Sequence, residues 1–148
     1  MSVLVFGANG QLGQALRSIE PVGLDVTYAG RKECDIADSG AVQQFVDQID
    51  PDYIINCAAY TAVDKAEEDI AACYQINRDG VQNISDCCFD RRLIHISTDF
   101  VFDGTQTTPY KPSDTPNPVS VYGASKLAGE QAALTTIPNQ VMIIRTAW

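Results

Sequence analysis

The sequence predicts a doubly wound α/β fold, a parallel sheet with helices on its faces. Three observations carry that expectation. Short runs rich in β-branched, aromatic and other apolar residues lie at 3–6, 24–28, 53–55, 93–96 and 141–144. They are near-continuously apolar rather than alternating, as strands covered on both faces are. Longer amphipathic stretches at about 11–19, 38–49, 64–91 and 120–135 separate them. Strand–helix alternation with right-handed crossovers leads to a doubly wound sheet.

Taken in order, the first strand runs straight into Gly7 and the first helix. Asp38 is a natural N-cap for the second helix, and Pro51 closes it. The third helical stretch, 64–91, is long enough that a break is expected near 77–80, where Asn77 and Gly80 fall. His95 sits inside the fourth apolar run and reads as a packed core histidine. Between that strand and the last helix, prolines at 109, 112, 116 and 118 fix φ and remove donors, so 101–118 reads as a loop.

At 148 residues the chain is one domain's worth, able to bury about 68–70% of its unfolded surface. It is 45% hydrophobic and 20% charged, with mean hydropathy near zero. A net charge of −9 argues against a general nucleic-acid or anionic-membrane surface. Five cysteines at 34, 57, 73, 87 and 88 form no C-x-x-C pair, and adjacent Cys87 and Cys88 suit neither a usual disulfide nor a zinc site. They read as reduced thiols, so no metal is expected. With no basic leader before the first strand and no membrane-length apolar run, the expected location is the cytoplasm.

Gly7-Ala8-Asn9-Gly10-Gln11-Leu12-Gly13 follows a strand and opens a helix. Gly7 permits the tight turn, Gly10 lets a pyrophosphate approach the backbone, and Gly13 lets helix pack on strand. The free amides and positive dipole end of the helix then face the anion. That context makes the trio a dinucleotide-binding signature of the Rossmann type. After the second strand the chain reads Ala29-Gly30-Arg31-Lys32, with no acid where NAD enzymes bind the ribose 2′-hydroxyl. Arg31 tilts the expectation towards NADP(H), with NAD(H) possible because Glu33 and Asp35 lie close by. Asp35 and Ile36 are expected beside the adenine.

Tyr122 and Lys126 stand four positions apart in a helical segment, on one face and roughly 5–6 Å apart at Cβ. A lysine there is expected to lower the tyrosine's pKa from its usual ~10. Reaching neutrality would take on the order of 4 kcal/mol of preferential phenolate stabilisation. That is the chemistry of a proton donor for carbonyl reduction.

Five stretches taken together resemble the extended short-chain dehydrogenases/reductases, in the branch that reduces dTDP-4-dehydro sugars. They are the glycine turn at 7–13, Asn56-Cys57-Ala58-Ala59-Tyr60-Thr61-Ala62-Val63-Asp64, Ser97-Thr98-Asp99-Phe100-Val101-Phe102-Asp103-Gly104, Tyr122-Gly123-Ala124-Ser125-Lys126-Leu127-Ala128-Gly129-Glu130 and Arg145-Thr146-Ala147-Trp148. The resemblance implies NAD(P)H-dependent reduction of the C4 ketone of dTDP-4-dehydro-6-deoxy-L-mannose (dTDP-4-dehydrorhamnose) to dTDP-L-rhamnose. It implies that Thr98 holds the ketone oxygen, Tyr122 protonates it, and Lys126 bonds the nicotinamide ribose. Gly7, Asn9, Gly10, Gln11, Leu12 and Gly13 would cradle the pyrophosphate, Ala58, Ala59 and Tyr60 would line it, and Asn77 would approach from the next helix.

Two departures stand out: Phe100 where the family usually has Tyr, and Pro112 where the loop commonly carries an acid thought to touch substrate or a neighbouring subunit. The family also continues for roughly as much chain again. Residues 1–148 are therefore expected to be an N-terminal cofactor-binding portion without the substrate domain, from a parent that forms a homodimer. Two other readings remain open, a non-catalytic regulatory subunit and an epimerase or dehydratase using the same trio. A dehydratase would want Asp-Glu after the threonine, where this chain has Asp99-Phe100.

Overall fold

Strands β1 (Ser2–Phe6), β2 (Asp25–Ala29), β3 (Tyr53–Asn56), β4 (Arg92–Thr98) and β5 (Val141–Thr146) pair in parallel throughout, in the order β2-β1-β3-β4-β5. The structure is a computed structural model and describes residues 1–147. Trp148, the last residue of the expected motif at 145–148, lies outside the described residues. The strands fall within about two residues of those expected, and the sheet is the predicted parallel α/β sheet.

The helices are α1 (Gln11–Ser18), α2 (Ser39–Ile49), α3 (Val63–Ala66), α4 (Ile70–Tyr74), α5 (Gly80–Asp86) and α6 (Val121–Thr136). Helix α2 packs on α5, and α5 on α6, so these share one face of the sheet. The chain steps from β1 to β2 in the opposite direction from its later crossovers, so the right-handed rule puts α1 on the other face. The main core lies under α2, α5 and α6, where Leu4, Phe6, Ile54 and Leu93 from the sheet meet Val42, Val46, Val81, Ile84, Ala133 and Ile137. On the opposite face Met142 and Ile144 of β5 stay 60% and 39% exposed.

Local chemistry explains the boundaries. The Asp38 carboxylate accepts from Ala41 N at 2.9 Å and caps α2. Asp50 ends that helix in the left-handed region at φ 47°, and Pro51 prevents its continuation. Ser120 caps α6 by accepting from Gly123 N at 3.0 Å. The 64–91 stretch is not one helix: it is α3, α4, a π-helical turn at Gln75–Asp79, and α5, which stops at Asp86. The π turn falls where the break was expected, and its Asn77 carbonyl lies against Gly129 of α6, where a Cβ would collide. His95 is buried, as expected.

Candidate functional site

A cleft of about 750 Å³ opens at the carboxyl ends of β1 to β4, around the point where the strand order reverses between β1 and β3. Open α/β sheets hold ligands there. The chain after β1 forms its floor. Gly7 adopts φ +80°, and a Cβ on it would lie 2.5 Å from Ala58 N. Gly7, Asn9, Gly10, Gln11 and Leu12 line the cleft. Gly13 lies beneath them, where a Cβ would strike Gly7 O and Ala8, so its role is packing. No side chain caps α1 and its first turn carries no acid, leaving its amides available to an anion in the cleft.

The β2 end supplies Gly30, Arg31, Cys34, Asp35 and Ile36. Glu33 accepts from Gly30 N at 2.8 Å and fixes the turn. Arg31 Nε lies 3.0 Å from Asp35 Oδ2, yet the arginine is 80% exposed. Asp35 Oδ1 accepts from Ala37 N at 3.1 Å. From β3 come Cys57, Ala58, Ala59 and Tyr60, with Ala58 N donating to Asn56 Oδ1 at 3.0 Å.

Asn77 is not in the cleft wall. Its side chain is buried and clamps the Tyr60 backbone, accepting from Tyr60 N at 2.8 Å and donating to Tyr60 O at 3.1 Å. It also donates to Ser125 Oγ at 3.0 Å. Asn77, expected to approach the cofactor from this helix, thus joins the Tyr60 backbone to α6.

Thr98, Tyr122 and Lys126 all line the cleft. Tyr122 and Lys126 belong to the buried stripe of α6 that also holds Gly129, Glu130 and Ala133. The Thr98 hydroxyl donates to Asp99 Oδ1 at 3.1 Å and accepts from Phe100 N at 3.2 Å. The ring of Phe100 meets Tyr122 edge-on, with centroids 5.6 Å apart at 76°. Lys126 Nζ donates to Ile96 O at 2.7 Å, and burial pulls its pKa from 10.5 down to about 8. The Tyr122 phenol is pushed up rather than down, because burial penalises the phenolate more than the neighbouring Thr98 hydroxyl favours it. The expected lowering by Lys126 is not found in this state.

Several neighbours were not legible as site residues. Ile76 lies outside every motif singled out in the sequence, and Cys57, Ser97 and Phe100 line the cleft from within the quoted stretches without having been given a role there. The loop at 101–118 is better tied than its prolines suggest. Asp103 accepts from Thr105 N, Thr105 Oγ1, Tyr110 OH and Asn117 Nδ2 at 2.8–3.0 Å, which holds its carboxyl well below the usual range. Phe102 stacks on Tyr110 at 4.2 Å. Pro112, the departure from the family pattern, offers its carbonyl to Arg145 Nη1 at 3.4 Å.

Comparison with known proteins agrees with this geometry. The chain is 41% identical over 150 residues to dTDP-4-dehydrorhamnose reductase of Sinorhizobium fredii, covering 100% of this chain and 50% of that one. A crystal structure of dTDP-4-dehydrorhamnose reductase from Bacillus anthracis in complex with NADP superposes with a TM-score of 0.96 at 41% identity, over 99% of this chain and 53% of that one. One from Clostridium acetobutylicum gives a TM-score of 0.96 at 38% identity, over 100% and 54%. The chain thus spans about half the length of the curated relatives it matches. Residues 1–148 match the family described as the RmlD substrate binding domain throughout, and it is to this family that the chain belongs.

Proposed function

We propose that this chain is the cofactor-binding and proton-donating part of a cytoplasmic NADP(H)-dependent reductase. Its reaction would be reduction of the C4 ketone of dTDP-4-dehydro-6-deoxy-L-mannose to dTDP-L-rhamnose. One observation carries the reading: Thr98, Tyr122 and Lys126 line the same cleft as the uncapped glycine turn of α1.

The residues present fit a dinucleotide. Gly7 leaves room that a Cβ would close, and the first amides of α1 are free to bind pyrophosphate oxygens. Arg31, mostly exposed and among the described residues paired with Asp35 alone, suits the additional 2′-phosphate of NADP(H). When bound, the reduced nicotinamide supplies the hydride.

The chain's own residues do the rest. The Thr98 hydroxyl turns from Asp99 to donate to the ketone oxygen. Tyr122, protonated at neutral pH, delivers its proton to the same oxygen as charge develops there. Lys126 presents N–H donors and a positive charge beside that transfer, favouring the phenolate left behind. The relatives of matching sequence carry the name of this reductase, which supports the choice of substrate.

The test has two parts. Titration of this chain with NADPH, followed by nicotinamide fluorescence, should show one site. A protein carrying this chain at its relatives' length should oxidise NADPH when given dTDP-4-dehydrorhamnose. Normal cofactor binding with no turnover would overturn the reductase reading and favour a regulatory subunit.

A further inference from the structure

Beyond the trio, α6 carries a buried carboxylate on the same stripe, Glu130, one turn past Lys126 and two past Tyr122. It is 1% exposed. Its Oε1 accepts from Ser97 Oγ at 2.5 Å and from Arg145 Nε at 2.9 Å, and its Oε2 accepts from Arg145 Nη2 at 2.6 Å. Ser97 of β4 and Arg145 of β5 are partners in the sheet register. One carboxylate therefore joins α6, β4 and β5 through three hydrogen bonds.

The consequence falls on the residues either side of Ser97. Ile96 O receives the Lys126 ammonium, and Thr98 follows at the strand end. Two hydrogen bonds one helical turn apart, Lys126 to Ile96 and Ser97 to Glu130, fasten this strand end to the helix that bears Tyr122. Lys126 makes only the Ile96 bond among the described residues, leaving its charge poorly solvated. The groups facing it are Cys57 beyond β3, Cys73 of α4, His95 of β4 and Glu130 on its own helix. His95 is held neutral by burial, and burial pushes the Cys57 thiol up to about 11. Glu130 is thus the one carboxylate in that set.

We propose that Glu130 is a positioning residue for the reaction: its carboxylate keeps Lys126 charged and, through Ser97, fixes Thr98 against the α6 face that carries Tyr122. The Arg145 bidentate pair holds the carboxylate in place. This deepens the reductase reading and rests on it for its functional meaning.

The chain has four lysines, at 32, 65, 111 and 126, and of these only Lys126 is buried. Its midpoint can therefore be followed by NMR of ¹³Cε-labelled lysine in the ligand-free chain. In Glu130→Gln the midpoint should fall from near 8 by on the order of one pH unit. A purely structural role predicts the opposite sign, since loosened packing admits water and returns the lysine towards its ordinary value. An unchanged or raised midpoint overturns the proposal. If Glu130→Gln does not fold because Arg145 is left unpaired, the double variant Glu130→Gln/Arg145→Met removes that orphaned charge, and because a cation is lost with the carboxylate its midpoint should fall in the same direction by a smaller amount. NADPH affinity adds the functional half: variant and wild type should bind alike at pH 6, with the variant several-fold weaker at pH 8. Absence of NADPH binding by the wild type would sink the reductase reading, while the lysine titration would still decide the role of Glu130.

Discussion

Lys126 and Ile96 are joined by a 2.7 Å hydrogen bond from Nζ to the main-chain oxygen, at a point where the lysine is only 2% exposed. A buried ammonium with one strong partner is a stability liability. Its folded pKa of about 8 lies below its ordinary 10.5. The unfolded chain therefore holds more protons between those values, and stability should rise with pH across that window. Lys126→Met should stabilise the chain at pH 7 by on the order of 3 kcal/mol. The same variant should abolish turnover in the full-length protein. Urea unfolding of both forms at pH 7 and 8.5 checks the first half; a variant no more stable than wild type would contradict it.

Tyr122→Phe should lower turnover by about 10²- to 10⁴-fold while NADPH binds within a few-fold of wild type, because only the transferable proton is removed. Thr98→Val should behave similarly if its hydroxyl serves the ketone as proposed. Steady-state rates alongside fluorescence titrations separate these effects. A large loss of NADPH affinity in either variant would show that the side chain serves the cofactor instead.

Asn77→Ala should weaken folding by a few kcal/mol, at about 1–3 kcal/mol for each buried group left without a partner. Those groups are Tyr60 N and O. NADPH affinity should fall too, through displacement of the 58–60 wall. Because the effect is indirect, stabilising the chain with osmolyte should restore much of the affinity; a direct contact would not respond in that way.

Cys57 and Cys34 both line the cleft, but Cys57 is the half-buried one and the other four thiols are buried. Cys57 should be the first to react with iodoacetamide, and NADPH should protect it. Burial pushes its thiol up to about 11, so labelling at pH 7 should be slow. Cys88 is pushed up to about 12 by burial and should label only on unfolding. For both thiols the native state holds its proton longer than the unfolded state, so their own contribution to stability should fall as pH rises above about 9, against the rise that Lys126 contributes. Mass spectrometry of timed samples checks the order.

The single His95 should remain neutral well below pH 6.5, since burial and the nearby Lys126 both oppose its charge. Asn56 Oδ1 accepts from Ala58 N, which turns the Asn56 amide nitrogen towards His95 Nδ1 at 3.3 Å. The ring should therefore carry its proton on Nε2. Stability should fall as pH drops through the unfolded value near ~6.5, by up to about 1.4 kcal/mol per pH unit. A ¹⁵N-detected titration of this one ring gives the tautomer and midpoint directly.

Much of this was legible in the residues. Continuous apolar runs gave the parallel strands because both faces of such a sheet are covered, and Gly7 could be read because its positive φ has a sequence cost that only glycine avoids. For Asn77 the sequence gives a place near the cleft but not the bonds its amide makes to Tyr60 and Ser125. The pKa direction of Tyr122 was missed for a related reason: i, i+4 spacing brings the lysine near, but burial of both groups is a property of the tertiary fold. Ser97, Glu130 and Arg145 lie 33 and 15 positions apart. Only the register of β4 on β5 brings them together.

The π turn at Gln75–Asp79 has an evolutionary reading as well. It holds one residue more than the α-helical path between the same ends would require. Each residue of an α-helix advances the side-chain direction by roughly 100°. Deleting a single residue there would leave a regular helix whose flanks keep their phase, but the side chains within the turn itself would be redirected by up to roughly that angle. Asn77 could then no longer face both Tyr60 and Ser125. The site is thus keyed to the phase of one helical turn, and a length change of a single codon should disable it more thoroughly than most substitutions in the cleft wall.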